Sequence, residues 1–441
     1  MHKPIAEVIN LIPDSSQQLR GISADQARTQ MLSADPKQFG ESVAGSYALV
    51  ARDGQRVVLA RSLDRPMRYF LAKVIDGPLL IVAERIDQIR DWLLAKGMAA
   101  QFHPTYTRMV PAFHCTEIAL VGCPDPNPVY QRFFDPPRGT LPADIALLGH
   151  VYVGALLAEV REWLASVPAR EPLGVLFSGG IDSGAVLLAL HQALLESGQS
   201  PARLKAFTLR VGNSDDAPQA QQFLAKTGLQ MLWEPIEVAP ESLDPLAAVA
   251  LIEDYKPLDV ECATVLSALL AEIRQRYPDW RQLIDGDGGD ENLKDYPLEV
   301  DGELTIRSVV NNSLLYQEGW GVDAIKHSLT YSGGYSRACV RGRAPLQRFG
   351  FDGYSPFTAP GVMAAAEAIP FDELTKGSVE RLYALKGEIV ASGFAQHLGI
   401  EFPVFPKRRF QHGATDSAVF QSRFRYDEMD YRAHLLRRFA A

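Results

Sequence analysis

A chain of 441 residues is long for one hydrophobic core and predicts two domains. Its apolar share of 47% and charged share of 22% are those of an ordinary globular protein, which excludes collagen-like and disordered classes. A formal net charge of −9 excludes a broad nucleic-acid footprint, which needs clustered Lys and Arg.

Met1-His2-Lys3-Pro4 opens no signal peptide, and no apolar run reaches membrane-spanning length, so the expected location is cytoplasmic, without a membrane partner. Residues from about 45 to 125 predict short β segments at 47–51, 57–61, 69–73 and 79–83, parted by turn chemistry such as Arg52-Asp53-Gly54. One helix is predicted among them at 87–96, with Ile89, Trp92, Leu93 and Leu94 as its apolar residues. Cys115, Cys123, Cys262 and Cys339 have no CxxC spacing and no His at zinc-finger spacing, and are expected to be buried free thiols. The proline-rich stretches 123–130 and 135–139 read as an inter-domain crossing, which divides the chain into 1–140 and 141–441.

Beyond 140 the rhythm becomes strand, turn, helix. Strands are expected at 173–177, 204–209 and 229–237, and helices at 184–195 and 217–227. The alternation predicts a parallel sheet with helices on both faces. The part from about 303 to 400 reads as mostly helical, with breaks such as Ser332-Gly333-Gly334. The fold class is therefore α/β: a β-rich α+β domain followed by a doubly wound parallel α/β domain with a helical C-terminal part.

The sharpest signal is Ser178-Gly179-Gly180-Ile181-Asp182-Ser183, where an apolar strand runs into an apolar helix. Two glycines let backbone N–H groups approach phosphate oxygens with no Cβ in the way, and the helix directs its positive end at the same anion. Ser178 and Ser183 add hydroxyl donors, and Asp182 offers a hard oxygen ligand for Mg²⁺. The Gly-Lys-Ser/Thr ending of a Walker A loop is missing. About a hundred residues later comes Asp285-Gly286-Asp287-Gly288-Gly289-Asp290-Glu291, again after a short apolar strand. Carboxylates this dense repel one another unless a cation lies between them. Ligands of open parallel sheets bind outside the carboxyl ends of strands near a switch in strand order, so two such turns on neighbouring strands would face one nucleotide.

These two strings resemble the pyrophosphate loop and the Gly-Glu-Gly-Ser-Asp-Glu segment of the asparagine synthetase family, which includes β-lactam-forming relatives within the ATP pyrophosphatase superfamily. Further segments are similar: 204–209, ending at Leu209, where the family's strand backbone meets adenine; Ile252-Glu253-Asp254-Tyr255; Leu385-Lys386-Gly387, where a family lysine reaches the pyrophosphate; and Pro406-Lys407 with Gly413 six residues on. The N-terminal half is more loosely similar to the family's amidotransferase domain, an Ntn-hydrolase fold, through Gly45-Ser46-Tyr47-Ala48, Leu59-Ala60-Arg61 and Pro111-Ala112-Phe113. The resemblance implies ATP and Mg²⁺ as cofactors, a small-molecule carboxylate as substrate, and an amine or ammonia as acceptor. It implies that Ser178, Gly179, Gly180, Ser183, Gly286 and Lys386 hold the phosphates, and that Asp182 and Asp290 hold the metal. Lys407 is implied to stabilise the oxyanion and the leaving AMP. Asp287 is the candidate base, since crowding by Asp285 and Asp290 predicts a raised pKa.

Three departures stand out. The family's glutaminase nucleophile is an N-terminal Cys, whereas position 2 is His2, so a degenerate glutaminase is expected. Asp287 stands where asparagine synthetases carry Glu and β-lactam-forming relatives Tyr. Glu261 falls in a segment where asparagine synthetases place an Arg, which argues against aspartate as substrate. Ring closure within one substrate and attack by a separate amine both remain open, as does the oligomeric state, a homodimer included. A catalytically silent nucleotide-binding protein acting through partner contacts is the competing reading, and the retained Asp182, Asp287, Asp290 and Lys407 count against it. A tRNA-modifying relative is disfavoured by the acidic balance and the lack of paired cysteines.

Overall fold

A computed structural model describes residues 5, 7–54, 56–75, 77–119, 128–212, 216–295, 306–311, 342–406 and 413–439. Two four-stranded sheets stand at the N-terminal end. One has the order β1 (Glu7–Asn10), β7 (Gly77–Ala83), β6 (Arg68–Val74), β8 (Arg108–Met109). The other runs β10 (Val129–Arg132), β9 (His114–Ala119), β5 (Arg56–Arg61), β4 (Ala48–Asp53). A two-stranded ribbon, β2 (Gln18–Arg20) with β3 (Ala44–Ser46), completes the strands here. All pairings in the two sheets are antiparallel except β1 with β7.

Side chains alternate across these strands with period two, so each strand feeds two cores. Ala48, Val50, Val57, Leu59, Tyr69, Leu80 and Val82 fill the space between the sheets. Leu49, Ala51, Val58 and Ala60 face outward onto α1 (Ala24–Ser33) and α2 (Pro36–Ser42) through Ala27, Met31 and Phe39. Phe70, Ala72, Leu79 and Ile81 face outward onto α3 (Ile86–Ala95) through Ile89 and Leu93. The result is four layers, helix, sheet, sheet, helix.

The second half begins with α4 (Ile145–Ser166), a 22-residue helix capped by Asp144, whose carboxylate accepts from Ala146 and Leu147 N–H. Five parallel strands follow: β11 (Leu173–Leu176), β12 (Leu204–Val211), β13 (Trp233–Val238), β14 (Gln282–Ile284) and β15 (Asp352–Tyr354). Between them run α5 (Ile181–Glu196), α6 (Asp216–Thr227), α7 (Pro245–Ile252), α8 (Pro257–Arg276), α9 (Gly289–Asn292), α10 (Ile306–Asn311) and α11 (Ala344–Arg348). After β15 come α12 (Pro360–Glu367), α13 (Phe371–Thr375), α14 (Val379–Leu398), α15 (Ser417–Arg423) and α16 (Glu428–Phe439). The sheet order is β13-β12-β11-β14-β15, so the direction of winding reverses between β11 and β14. Both faces are covered: Val175, Ala206 and Ile284 pack against α4, α5 and α14, while Phe207, Leu209 and Leu283 pack against α8. The expected doubly wound sheet is present, with its strands and helices within a few residues of the bounds read from sequence.

At one crossing α4 and α14 come so close that a Cβ at Gly149 would lie 2.6 Å from the Ile389 carbonyl, and one at Gly393 would lie 2.3 Å from the Gly149 carbonyl. Two glycines here let the helix backbones touch, and this fixes the height of α14 over the sheet. Lys386 stands two turns before Gly393 on the same face.

The two halves meet at the end of α7. Glu253 adopts a left-handed φ of 53° and its carboxylate accepts from Ile86 N–H at 2.8 Å and Asp87 N–H at 2.9 Å, which caps α3. Beside it Asp254 is fully buried; Oδ1 accepts from Tyr255 and Lys256 N–H, whereas Oδ2, like Asp259 Oδ1, has no hydrogen-bond partner among the described residues. Burial, then the Asp259 charge, push the Asp254 carboxyl up to about 7. Its folded pKa lies above the unfolded one, so Asp254 costs nothing at low pH and becomes destabilising as pH rises from about 4 to 7. Asp254→Asn, which keeps Oδ1 and puts a donor in place of Oδ2, is expected to stabilise the fold increasingly across that interval; denaturation midpoints of both proteins at pH 4 and pH 7 check this.

Candidate functional site

Gly179 has a φ of 76°, and a Cβ there would lie 2.7 Å from the Ala220 backbone. The first turn therefore needs glycine twice over, for its dihedral and for the approach of α6. Ser178 and Ser183 close the turn. Ser183 Oγ accepts from Ser178 N–H at 3.3 Å, and Gly180 N–H donates to Ser178 Oγ at 3.3 Å. Helix α5 opens at Gly180 with no side-chain cap among the described residues, unlike α1, α4, α7 and α14, which Ser23, Asp144, Asp244 and Ser378 cap. Its first N–H groups and its positive end are thus left for an anion. The helix starts three residues earlier than the sequence suggests, which places Asp182 and Ser183 in its first turn.

The second turn lies directly against the first. A Cβ at Gly286 would be 2.9 Å from both Asp182 Cβ and Ser183 N, and one at Gly289 would be 2.1 Å from Asp182 Oδ1. The two glycine turns, whose first glycines Gly179 and Gly286 are 107 residues apart, make one wall at the reversal of strand order. Gly286→Ala is expected to push them apart and to weaken Mg·ATP binding by about tenfold or more, since small displacements are costly at such sites; titration with a non-hydrolysable ATP analogue measures it.

One of the crowded carboxylates, Asp290, meets a cation from the chain itself, which it shares with Asp182. Lys386 is only 2% exposed; Nζ donates to Asp182 Oδ2 at 2.6 Å and to Asp290 Oδ1, and lies 3.6 Å from Asp295 Oδ2. Burial opposes its charge, but Asp182, Asp290 and Asp295 outweigh burial and hold the ammonium well above the usual lysine value. Lys386 is thus no solvated helix lysine. Asp295 was not singled out by sequence reasoning, and nothing in its spacing marks it.

Asp285 and Asp287 line the other side of the turn. Asp287 N–H donates to Asp285 Oδ1 at 3.1 Å, Asp285 N–H donates to the Tyr354 carbonyl at 3.0 Å, and Ser355 Oγ donates to the Asp287 carbonyl. A Cβ at Gly342 would sit 3.4 Å from Asp287 Oδ2 and 3.8 Å from Asp285 Oδ2. Leu209 is buried two residues before the end of β12, which leaves its backbone rather than its side chain to meet a base. Lys407 lies outside the described residues, as do Tyr331 to Tyr335. Its flanks reach the site: Val404 packs on Gly387, next to Lys386, and Gly413 meets the Asp216 carboxylate at the start of α6. Thr415 bridges to Val211 at the end of β12. A surface cleft of about 430 Å³ opens nearby, lined by Arg210, Gly212, Glu237, Val238 and Ala239. A larger one lies over α1 and touches neither turn.

Among the described residues no group of three or more His, Cys, Asp or Glu side chains is arranged to hold a metal ion. Asp182 and Asp290 nonetheless converge on one cationic nitrogen, and Mg²⁺ commonly takes one or two carboxylates and completes its shell with phosphate and water. The pair fits a nucleotide-bound Mg²⁺ on that ground. Cys115 and Cys262 are buried, as expected, and in no disulfide among the described residues, while Cys123 and Cys339 lie outside them. No helix among the described residues is long and apolar enough to cross a membrane.

No curated protein matches the chain. The family model described as asparagine synthase matches residues 163–320, the stretch that carries β11 to β14 and both glycine turns. Over those residues the chain is similar to the asparagine synthase family.

Proposed function

We propose that this chain is an AMP-forming carbon–nitrogen ligase, in which ATP activates a substrate carboxylate as an acyl-adenylate and the acyl group passes to an amine or ammonia. The observation that carries the reading is the contact of Gly286 and Gly289 with Asp182, which joins two phosphate-type turns at one point of the sheet. The substrate carboxylate attacks the α phosphorus; the bond to the bridging oxygen breaks and pyrophosphate leaves. Backbone N–H groups at the start of α5, with Ser178 and Ser183, hold the departing group. Asp182 and Asp290 would hold Mg²⁺, whose charge neutralises the triphosphate. Lys386, held by both carboxylates, would turn its charge toward the departing pyrophosphate, as the family resemblance implies. Asp287 attracts the acceptor ammonium and accepts its proton, so the neutral amine attacks the acyl carbon and AMP leaves. Lys407 steadies the oxyanion in this scheme, as the family resemblance implies.

Asp287 and Glu261 both depart from asparagine synthetases, which favours specialised biosynthesis over asparagine formation, with ring closure to a lactam and intermolecular amidation as its two forms. The four layers ahead of residue 140 support a glutaminase-like domain at 1–140 without its nucleophile, followed by a synthetase domain at 141–441. Neither described cysteine suits that role. Burial pushes the Cys115 thiol up to about 12, and Cys262 is buried in α8. On this reading the molecule works on small molecules, in the cytoplasm.

Incubation of the purified protein with ATP, Mg²⁺ and a panel of amino-carboxylates, with and without ammonium, tests the proposal. One member of the panel is expected to give AMP, pyrophosphate and a product of amide mass. Glutamine in place of ammonium is expected to give no glutamate. Glutamate release would overturn the loss of glutaminase activity, and ATP left uncleaved across the panel would favour the silent nucleotide-binding alternative.

A further inference from the structure

We propose that Arg343 is a positioning residue for the acidic turn of Asp285 and Asp287, and that Asp64 and Glu84 hold it, so that the N-terminal sheets form the platform of the acceptor side. The inference rests on the amide-forming reading above. The Arg343 guanidinium lies 3.9 Å from Asp64 Oδ2 and 3.9 Å from Glu84 Oε1, with its side chain 15% exposed. Glu84 is held independently, because the wholly buried Arg65 donates to its carboxylate through Nε at 2.9 Å. Arg343 therefore directs its charge at the N-terminal sheets.

Gly342 precedes it and faces both carboxylates of the turn: a Cβ there would lie 3.4 Å from Asp287 Oδ2 and 3.8 Å from Asp285 Oδ2. Beyond Arg343, α11 leads to β15, whose Tyr354 and Ser355 hold the backbone of the same turn. The turn is thus gripped by β15 and bounded by Gly342; Arg343 ties the Gly342 side to Asp64 and Glu84, while β15 reaches the N-terminal ribbon more indirectly, from Tyr354 through Glu159 to Arg20. The segment around Glu84 serves this tie more widely. Besides Arg343 it engages Glu253 through Ile86 and Asp87 N–H, and Asp87 lies 3.6 Å from Arg438. Three separate stretches of the second half thereby dock on four successive residues. A domain without a nucleophile keeps, on this view, a role in setting where the acceptor sits.

Arg343→Ala, Arg343→Lys and Asp64→Asn test the proposal against wild type in three assays. These are ATP–pyrophosphate exchange with an active carboxylate of the panel, amide formation from ammonium, and amide hydrogen exchange of residues 285–291. For Arg343→Ala, pyrophosphate exchange is expected to stay within about twofold while amide formation falls about tenfold and hydrogen exchange at 285–291 quickens, the pattern of a misplaced acceptor group. Arg343→Lys is expected to recover most of both losses, and Asp64→Asn to show a smaller loss of the same kind. Parallel loss of both reactions, equal defects in the Lys and Ala variants, or unchanged hydrogen exchange would overturn it. If wild type supports no pyrophosphate exchange, the ligase reading fails, and hydrogen exchange in the variants still decides whether Arg343 holds the turn.

Discussion

Lys386→Met is expected to cost roughly 2–4 kcal/mol of folding stability, less than the full penalty for breaking a buried pair because the Asp290 side chain is 38% exposed. The ammonium is the cation among Asp182, Asp290 and Asp295, and methionine fills its volume without its charge. The carboxylates then repel one another in a poorly solvated pocket. A hard divalent cation answers that deficit, so Mg²⁺ without nucleotide is expected to raise the melting temperature of the variant more than that of wild type. Denaturation with and without Mg²⁺ measures both effects. A loss of only a few tenths of a kcal/mol, the scale of a surface pair, with no added Mg²⁺ response, would show that the cluster is not the charged joint described here.

Asp287→Asn separates the two half-reactions. Its backbone is fixed by the bond to Asp285 and by Ser355, so asparagine keeps the place of the carboxylate. Asparagine neither carries the charge that attracts an ammonium nor accepts its proton. Adenylation is expected to persist, seen as ATP–pyrophosphate exchange close to wild type, while amide formation falls by about 10²–10⁴, the usual worth of a positioned base. Amide formation at an undiminished rate would remove Asp287 from that role.

Much of the second half was legible in the sequence because its signals are local. Gly179 and Gly180 between an apolar strand and an apolar helix mark the first glycine turn on their own, and the second turn repeats that grammar. Alternation of strand and helix from 173 to 238 follows directly from switches in hydrophobic period. What sequence reading missed depends on distant contacts. Helix α4 is apolar over much of its length, with buried Leu148, Tyr152, Val153, Leu156 and Leu157, and its packing against α5, α12 and, most closely at Gly149 and Gly393, α14 explains it. Asp295 joins the lysine cluster because α14 delivers Lys386 from about ninety residues away in the chain, and no spacing rule encodes that. Strand β15 has three residues, too short for a periodic signal, yet its Tyr354 backbone and Ser355 hold the acidic turn. The first forty residues, with α1 and α2 closing the outer face of a sheet, carry weak patterns that packing overrides.

The reading depends on one bond in ATP. Phosphorus NMR of a reaction containing Mg·ATP and the active carboxylate reports which bond breaks. The account predicts AMP and pyrophosphate, appearing only when the carboxylate is present and lost in Gly286→Ala. ADP and inorganic phosphate in their place would contradict it, since two turns that cradle a departing pyrophosphate have no part in breaking the terminal phosphate bond.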